Sequence, residues 1–189
     1  MAVAYKFPTI VTAEELFSMP DGERYELVRG ELREPKMPTG DEHGSLTFAL
    51  SLEIGSFVRG NKLGRCWAAE TGFLVARDPD TVLAPDFAFV RTERLPESIG
   101  RGYVRAVPDL VLETRSPSDR PREVAEKVQE WLDAGASMVL ELNPAKKILT
   151  IYRPGREPIA LGENDTFDGE ELLPGFSLPL TALFKDGIE

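Results

Sequence analysis

The sequence predicts a mixed β-sheet flanked by helices, an α/β or α+β fold whose residue pattern does not separate the two classes. Two observations lead to this class. Amphipathic helical stretches alternate along the chain with short runs of branched and aromatic residues, which favour strands. The 189 residues, 42% of them hydrophobic, suffice for one buried core and contain no internal repeat or low-complexity linker. We therefore expect a single domain over residues 1–189.

The first part of the chain predicts a short helix followed by a hairpin. Thr12 and Glu15 have the spacing of a capping box, so a helix begins there and ends at the turn-forming residues 20–22. Next come two short apolar runs separated by a two-residue turn. The predicted hairpin has strands at residues 25–28 and 31–34, joined by Arg29-Gly30.

A longer amphipathic helix follows the hairpin. Apolar residues recur every three or four positions over residues 42–58, and the helix should end near Gly60, with His43 in its first turn. Residues 66–75 and 82–90 then predict two strands, the first bent near Gly72.

The second half predicts a central strand and a helix behind it. Residues 110–114 are largely apolar, as in a strand that is buried on both faces. A helix over residues 121–134 follows, with Ser118 or Asp119 as its cap and Gly135 as its stop. The remaining sequence predicts strands at residues 138–142 and 148–152 and short antiparallel strands after Pro154. The apolar residues 183 and 184 are expected to dock against the fold near the end of the sequence.

Composition excludes several function classes. With one histidine, His43, and one cysteine, Cys66, the chain cannot form a histidine-ligated zinc site, a cysteine-rich zinc site or an internal disulfide. Cys66 is expected to fill the core. No phosphate-binding loop, nucleophile elbow, signal peptide or membrane-spanning run is present, so we expect a soluble cytoplasmic protein.

The net charge of −10 opposes strong nonspecific binding to nucleic acid. The charge is uneven, however, because residues 91–122 contain seven basic and five acidic side chains. A local electropositive face is therefore possible on an acidic protein.

Two carboxylates stand out as candidates for chemistry. Asp86 and Glu113 each lie at the end of an apolar run, where a charge is costly unless it is paired or bound to metal. Two hard oxygen ligands, a backbone carbonyl and waters would form a Mg²⁺ site. The alternative is that each carboxylate is exposed at an edge strand or held in a structural salt bridge.

Other polar residues have both a functional and a structural interpretation. Lys127 lies at the border of the apolar stripe of its helix and could reach over the end of the sheet. It could instead be an ordinary surface lysine paired with Glu123, Glu130 or Trp131. His43 could be a polar residue at a helix start, and Glu26 could be the polar face of the hairpin.

An ordered set of motifs resembles a known family. Pro85-Asp86, followed by Glu113, is similar to the PD-(D/E)xK pattern of restriction-endonuclease-like nucleases. The wider set resembles a bacterial family of restriction endonucleases formerly classed as a domain of unknown function, and it covers nearly the whole chain. The set comprises Tyr25–Leu32, His43, Pro85–Val90, Pro108–Glu113, Ser116–Asp119, Lys127, Ala134-Gly135 and Leu173–Phe176.

The resemblance implies a restriction-endonuclease-like core with additional antiparallel strands, and roles for individual residues. It makes Asp86 and Glu113 the metal ligands, beside the carbonyl of Thr114. Arg115 stands where the superfamily has its lysine, and it cannot act as a base. In the resembling family that lysine has moved to the following helix, which matches Lys127.

The resemblance also places Glu26 and His43 in the rear wall of the same site. The chain also departs from the family. Glu123 stands where an aspartate is usual, and residues 137–141 lack the usual aromatic pair. Glu141 replaces an apolar strand residue, where it could add a surface charge or an oligomer contact.

The function that follows is Mg²⁺-dependent hydrolysis of DNA phosphodiester bonds by a homodimeric endonuclease, with Mn²⁺ as a substitute metal. Two alternatives remain open. One is a binding or assembly module on the same fold with a weak or unused site, and the other is hydrolysis of another phosphate ester or nucleotide.

Overall fold

The computed structural model describes residues 10–22, 25–33, 39–97 and 100–185. The chain packs into two compact units. The first comprises Met1–Met37, Glu70–Ala84 and Pro96–Ala106, and the second comprises Pro38–Ala69, Pro85–Leu95 and Val107–Glu189. The single domain expected from the sequence stays a prediction, and each unit is described by itself.

Four α-helices and twelve strands are found in the described residues. In chain order they are α1 (Ala13–Ser18), β1 (Glu26–Val28), β2 (Glu31–Arg33), α2 (Asp41–Gly60), β3 (Gly64–Ala68), β4 (Phe73–Ala76), β5 (Thr81–Leu83), β6 (Phe87–Arg91), β7 (Leu110–Thr114), α3 (Pro121–Ala134), β8 (Met138–Asn143), β9 (Ile148–Tyr152), β10 (Ile159–Gly162), β11 (Thr166–Asp168), β12 (Ser177–Pro179) and α4 (Leu180–Lys185). None of the helices in this part of the chain is long and apolar enough to cross a membrane.

The first unit contains α1 and a four-stranded sheet in the order β2-β1-β5-β4. The predicted capping box is confirmed, since the Thr12 hydroxyl accepts from the Glu15 N–H and the Glu15 carboxylate accepts from the Thr12 N–H. The hairpin is confirmed as well, with Val28 opposite Glu31. Residue 34 of the predicted second strand lies outside the described residues. Val11, Leu16, Leu27 and Val82 form the small core of this unit.

The second unit is built on a six-stranded mixed sheet in the order β10-β9-β8-β7-β6-β3. Only β7 and β8 run parallel, and every other neighbouring pair is antiparallel. All five residues of β7 are buried, so the prediction of a central strand at 110–114 is confirmed. The mixed sheet flanked by helices confirms the predicted fold class.

Helices cover both faces of this sheet. Leu50 and Ile54 of α2 pack with Leu110 and Leu112 of β7 in the main core. Successive strand residues point to opposite faces, so Glu113 faces the other way, toward Trp131 of α3. Cys66 packs against the main core as expected, and burial raises the pKa of its thiol to about 12.

Helix α3 begins and ends at the predicted residues, but its cap differs from the prediction. The N-cap is Arg120, whose backbone N–H donates to the Glu123 carboxylate at 3.3 Å. Asp119 accepts from the Ser116 N–H instead, at 2.8 Å, which takes its carboxylate away from the helix. At the other end Gly135 has a φ of 106°, the left-handed conformation that ends a helix.

Two predicted strands are wrong in their extent. Residues 66–75 are not one bent strand, because β3 belongs to the six-stranded sheet and β4 to the four-stranded sheet. Between them Glu70 turns the chain with a positive φ of 66°, and a Cβ on Gly72 would lie 2.4 Å from the Tyr103 ring. Residues 82–90 divide in the same way into β5 and β6.

The C-terminal part agrees with the sequence. Strands β8 and β9 form at the predicted places and are joined by a short 3-10 helix, Pro144–Lys146. Strands β11 and β12 then pair antiparallel. Leu183 and Phe184 of α4 are buried in the main core, as the predicted docked pair.

Candidate active site

The two candidate carboxylates lie at the ends of neighbouring central strands. Phe87 of β6 pairs with Leu112 of β7, and the Asp86 N–H donates to the Leu112 carbonyl at 3.1 Å. Asp86 directly precedes β6 and Glu113 is the next-to-last residue of β7, so both carboxylates lie at the same end of the sheet. Like charges at one end of a sheet repel each other, so this end favours a cation.

Thr114, the last residue of β7, fixes the position of Asp86. Its backbone N–H donates to Asp86 Oδ2 at 2.7 Å, and its hydroxyl lies 2.7 Å from that of Thr47 on α2. The Thr47 hydroxyl in turn donates to the His43 carbonyl at 2.6 Å. Both the backbone and the side chain of Thr114 are thus held, and Asp86 is held with them.

His43 lies in the first turn of α2, as predicted, and reaches the same strand end. Its Nε2 is 3.0 Å from the Thr114 carbonyl and 3.7 Å from Asp86 Oδ2. A carbonyl oxygen only accepts, so Nε2 carries the proton in this geometry. A nitrogen that donates cannot take up another proton, so Nε2 of His43 positions the strand end rather than acting as a base.

Glu113 receives two donors from α3. Trp131 Nε1 donates to Glu113 Oε1 at 2.9 Å, and the Lys127 ammonium lies 3.0 Å from the same oxygen. The Lys127 and Glu113 side chains are only 11% and 9% exposed. Lys127 and Trp131 are four residues apart, so they lie on one face of α3. The helix therefore places a cation beside the carboxylate at the end of the central strand.

Arg115 stands where the superfamily has its lysine, but it pairs with a carboxylate other than Glu113. Its Nη1 is 3.4 Å from Glu141 on β8, and the Tyr152 hydroxyl donates to Glu141 at 2.7 Å. Glu141 is buried, so the surface charge suggested for this position is wrong, and the alternative of an oligomer contact stays a prediction. Burial, together with the hydrogen bond to Glu141, raises the pKa of Tyr152, which keeps the hydroxyl protonated as a donor.

Glu26 belongs to the first unit, on β1. It is buried, accepts from the Ala84 N–H at 2.9 Å and lies 3.3 Å from Arg33 Nη1. Its assignment to the rear wall of the site stays a prediction.

The contacts of Trp131, Thr47, Glu141 and Tyr152 were not foreseen. Trp131 could have been found from its spacing of four residues from Lys127, because that spacing puts both on one helix face. The other contacts depend on strand register and helix docking, which leave no local signal.

The donor atoms at this strand end fit a hard cation better than a soft one. They are the carboxylates of Asp86 and Glu113 and the carbonyl of Thr114, all oxygens, as Mg²⁺ prefers. In the part of the chain that the structure describes, no group of three or more histidine, cysteine, aspartate and glutamate side chains could hold a metal. Any ion here would therefore take its other ligands from backbone and water, which is usual for Mg²⁺.

The fold and the strand-end carboxylates define a restriction-endonuclease-like protein. The sequence matches the family model "Uma2: Putative restriction endonuclease" over residues 13–181, and the chain belongs to this family. The resemblance noted in the sequence is thereby confirmed.

A solved structure from Anabaena variabilis ATCC 29413, described as a "putative nuclease belonging to DUF820", is similar to this chain. The two are 20% identical with a TM-score of 0.77, and the match covers 93% of this chain and 98% of that one. At this identity the likeness shows the fold. No curated protein matches the sequence.

Proposed function

We propose that the protein is a metal-dependent endonuclease that hydrolyses phosphodiester bonds of DNA at the Asp86, Glu113 and Lys127 site. The observation that carries the proposal is the Lys127 ammonium, which α3 brings to 3.0 Å from Glu113. Arg115, two residues after Glu113, is paired with Glu141 instead. Membership of the Uma2 family and the nuclease described from Anabaena variabilis support the same class of activity.

Asp86, Glu113 and the Thr114 carbonyl would hold the metal. Asp86 Oδ2 already accepts from Thr114, whereas Oδ1 accepts no hydrogen bond from the described residues, which suits it to a ligand role. The Thr114 carbonyl has a second lone pair beyond the one that meets His43. When bound, a divalent ion at such a site polarises the phosphate and lowers the pKa of a water.

The chain's own residues then position the reaction. Trp131 and Lys127 fix the Glu113 carboxylate, and His43 with Thr47 fixes the end of β7. The ammonium of Lys127 orients the attacking water and stabilises negative charge that develops on the phosphate. In this arrangement Lys127 supplies the group that the superfamily motif places two residues after the glutamate.

The metal site is tested with shape-preserving substitutions. Asp86→Asn and Glu113→Gln should each abolish Mn²⁺ binding, because one remaining carboxylate leaves too little charge to offset dehydration of the ion. Glu163→Gln is the matched control, since Glu163 is a carboxylate paired with a lysine on an exposed surface. Calorimetric titration measures binding, and unchanged titrations for both site variants would refute the metal site.

The second candidate is a binding module on the same fold. The net charge of −10 and the two donors already on Glu113 Oε1 favour this alternative. Incubation of DNA and of small phosphate esters with Mg²⁺ or Mn²⁺ separates the possibilities. Cleavage of DNA that is lost in Glu113→Gln supports the endonuclease. DNA binding without cleavage supports the module, and turnover of the esters alone supports a different phosphohydrolase.

We also propose that the protein acts as a homodimer, since a single site on each chain must act twice to cut both strands of a duplex. Light scattering at micromolar concentration should give twice the chain mass. A monomer under these conditions would contradict the dimer without affecting the proposed chemistry.

A further inference from the structure

Arg115 shares a sheet face with Glu113. Its backbone N–H donates to the Leu142 carbonyl at 2.8 Å, which continues the β7–β8 ladder by one residue. Alternate strand residues point to the same side, so the two side chains leave the same face about 7 Å apart along the strand. Arg115 is therefore next to the candidate active site, although it does not pair with Glu113.

A buried carboxylate fixes the direction of Arg115. Glu141 is in register with Glu113 across the parallel strands and faces the same side. The Tyr152 hydroxyl donates to Glu141 at 2.7 Å, and Arg115 Nη1 lies 3.4 Å away. A buried carboxylate such as Glu141 is costly unless it is paired, and Arg115 and Tyr152 are its partners. Glu141 in turn holds one edge of the Arg115 guanidinium against the sheet.

The rest of the guanidinium can take a ligand. The Arg115 side chain is 20% exposed, and Glu141 is the partner that it has in the described part of the chain. A guanidinium carries five N–H donors and stays charged at every pH at which proteins are stable. With one nitrogen facing Glu141, the remaining donors are available to an anion approaching from solvent.

We propose that Arg115 binds a backbone phosphate of the DNA, with Glu141 and Tyr152 as the positioning residues that aim its guanidinium. The inference rests on the proposed function, in that nucleic acid is the ligand of this site. A planar guanidinium matches a phosphate with two parallel hydrogen bonds, which an ammonium cannot do. The arginine is thus a substrate-binding group, and Lys127 keeps the role beside the reacting phosphate.

DNA affinity tests this assignment without depending on cleavage. A short labelled duplex is titrated in Ca²⁺ over a series of NaCl concentrations and followed by fluorescence anisotropy. Arg115→Met should weaken binding roughly 10-fold or more, as loss of a charged hydrogen bond does. It should also reduce the slope of log K against log salt by about 1. Arg115→Lys should restore the slope and only part of the affinity, and Glu141→Gln should weaken binding less than Arg115→Met.

A double variant separates phosphate binding from a structural role. Arg115→Met with Glu141→Leu removes both members of the pair, so no buried charge remains to destabilise the fold. If Arg115 serves only to neutralise Glu141, this variant binds DNA as the wild type does. We expect it to fold and to bind DNA as weakly as Arg115→Met. Wild-type affinity in either variant, or no DNA binding by the wild type, overturns the inference.

Cleavage and DNA affinity, measured side by side, distinguish a failure of this inference from a failure of the proposed function. Glu113→Gln should lose cleavage in Mg²⁺, and the exposed-surface control Glu163→Gln should keep wild-type cleavage and DNA affinity. If the wild type never cleaves but Arg115→Met still weakens binding, hydrolysis fails and the phosphate-binding role of Arg115 holds. If the wild type cleaves and Arg115→Met binds normally, hydrolysis holds and the role of Arg115 fails.

Discussion

Two lysine–carboxylate pairs in the second unit have almost the same length but very different surroundings. Lys127 lies 3.0 Å from Glu113 with side chains 11% and 9% exposed. Lys147 lies 3.1 Å from Glu163 with side chains 53% and 45% exposed. The first pair joins a helix to a central strand, and the second joins the ends of two strands at the sheet edge. Distance alone therefore does not distinguish a candidate catalytic pair from a surface pair, whereas burial does.

The difference arises from the apolar stripe of α3. Val128 and Trp131 are buried, which fixes the rotation of the helix about its axis. Lys127 is next to Val128 in sequence and one turn before Trp131, so packing of the stripe brings its ammonium over the sheet. Lys147 and Glu163 are both about half exposed, so water screens the interaction between them.

Cleavage should separate the two pairs most strongly. Lys127→Met should reduce the rate of DNA cleavage at saturating substrate by roughly 10²-fold or more, the loss typical of a positioned proton-transfer or charge-stabilising group. Lys147→Met should leave the rate unchanged. Cleavage is measured on protein whose folding is checked by circular dichroism. Full activity of Lys127→Met would show that the buried pair, like the exposed pair, does not contribute to cleavage.

Stability should separate the pairs as well. Lys127→Met should lower the free energy of unfolding by about 1–3 kcal/mol, because Glu113 stays buried with one donor fewer. Lys147→Met should cost less than about 1 kcal/mol, as exposed pairs do, and the cost should shrink at high salt. Urea denaturation at low and high NaCl measures both. Equal losses would show that burial does not distinguish the pairs.

Tyr152→Phe extends the comparison to the neighbouring buried carboxylate, Glu141. Loss of the hydroxyl that donates to Glu141 should lower the free energy of unfolding by about 0.5–1.5 kcal/mol. The folded protein raises the pKa of Tyr152 above its unfolded value of about 10. The wild-type advantage should therefore be complete below pH 10 and decline as pH rises further. Denaturation of both proteins at neutral and alkaline pH tests this, and a pH-independent difference would contradict it.

The elements that could be predicted from the sequence are those set by local pattern. The apolar stripe and the terminal Gly135 predicted where α3 begins and ends. The apolar run at residues 110–114 predicted that β7 is a central strand. Asp86 is a candidate because it ends an apolar run, and Lys127 because it stands at a stripe border. Such signals involve residues close in sequence, where periodicity and capping act. The place of His43 in the site came from the family resemblance.

The features that could not be predicted depend on contacts between residues far apart in the chain. Where the chain passes from β3 to β4, Gly72 lies against Tyr103, thirty-one residues away in sequence. The burial of Glu141 depends on Tyr152 and Arg115, which strand pairing brings to it. In the sequence alone, an acidic residue in a strand gives the same pattern whether its side chain is exposed or is buried with partners.

Placing the functional lysine on a helix changes how the site responds to insertions and deletions. A strand residue added or removed shifts its neighbours by about 3.3 Å and reverses their faces, whereas a helix residue turns them by about 100°. One residue inserted between Lys127 and Val128 would turn the ammonium away from Glu113 while leaving Val128 and Trp131 in phase with each other. One inserted in the loop before α3 would alter only the length of the linker. The length of that loop is therefore free to vary in evolution or design, but the spacing of Lys127 from Val128 and Trp131 is not.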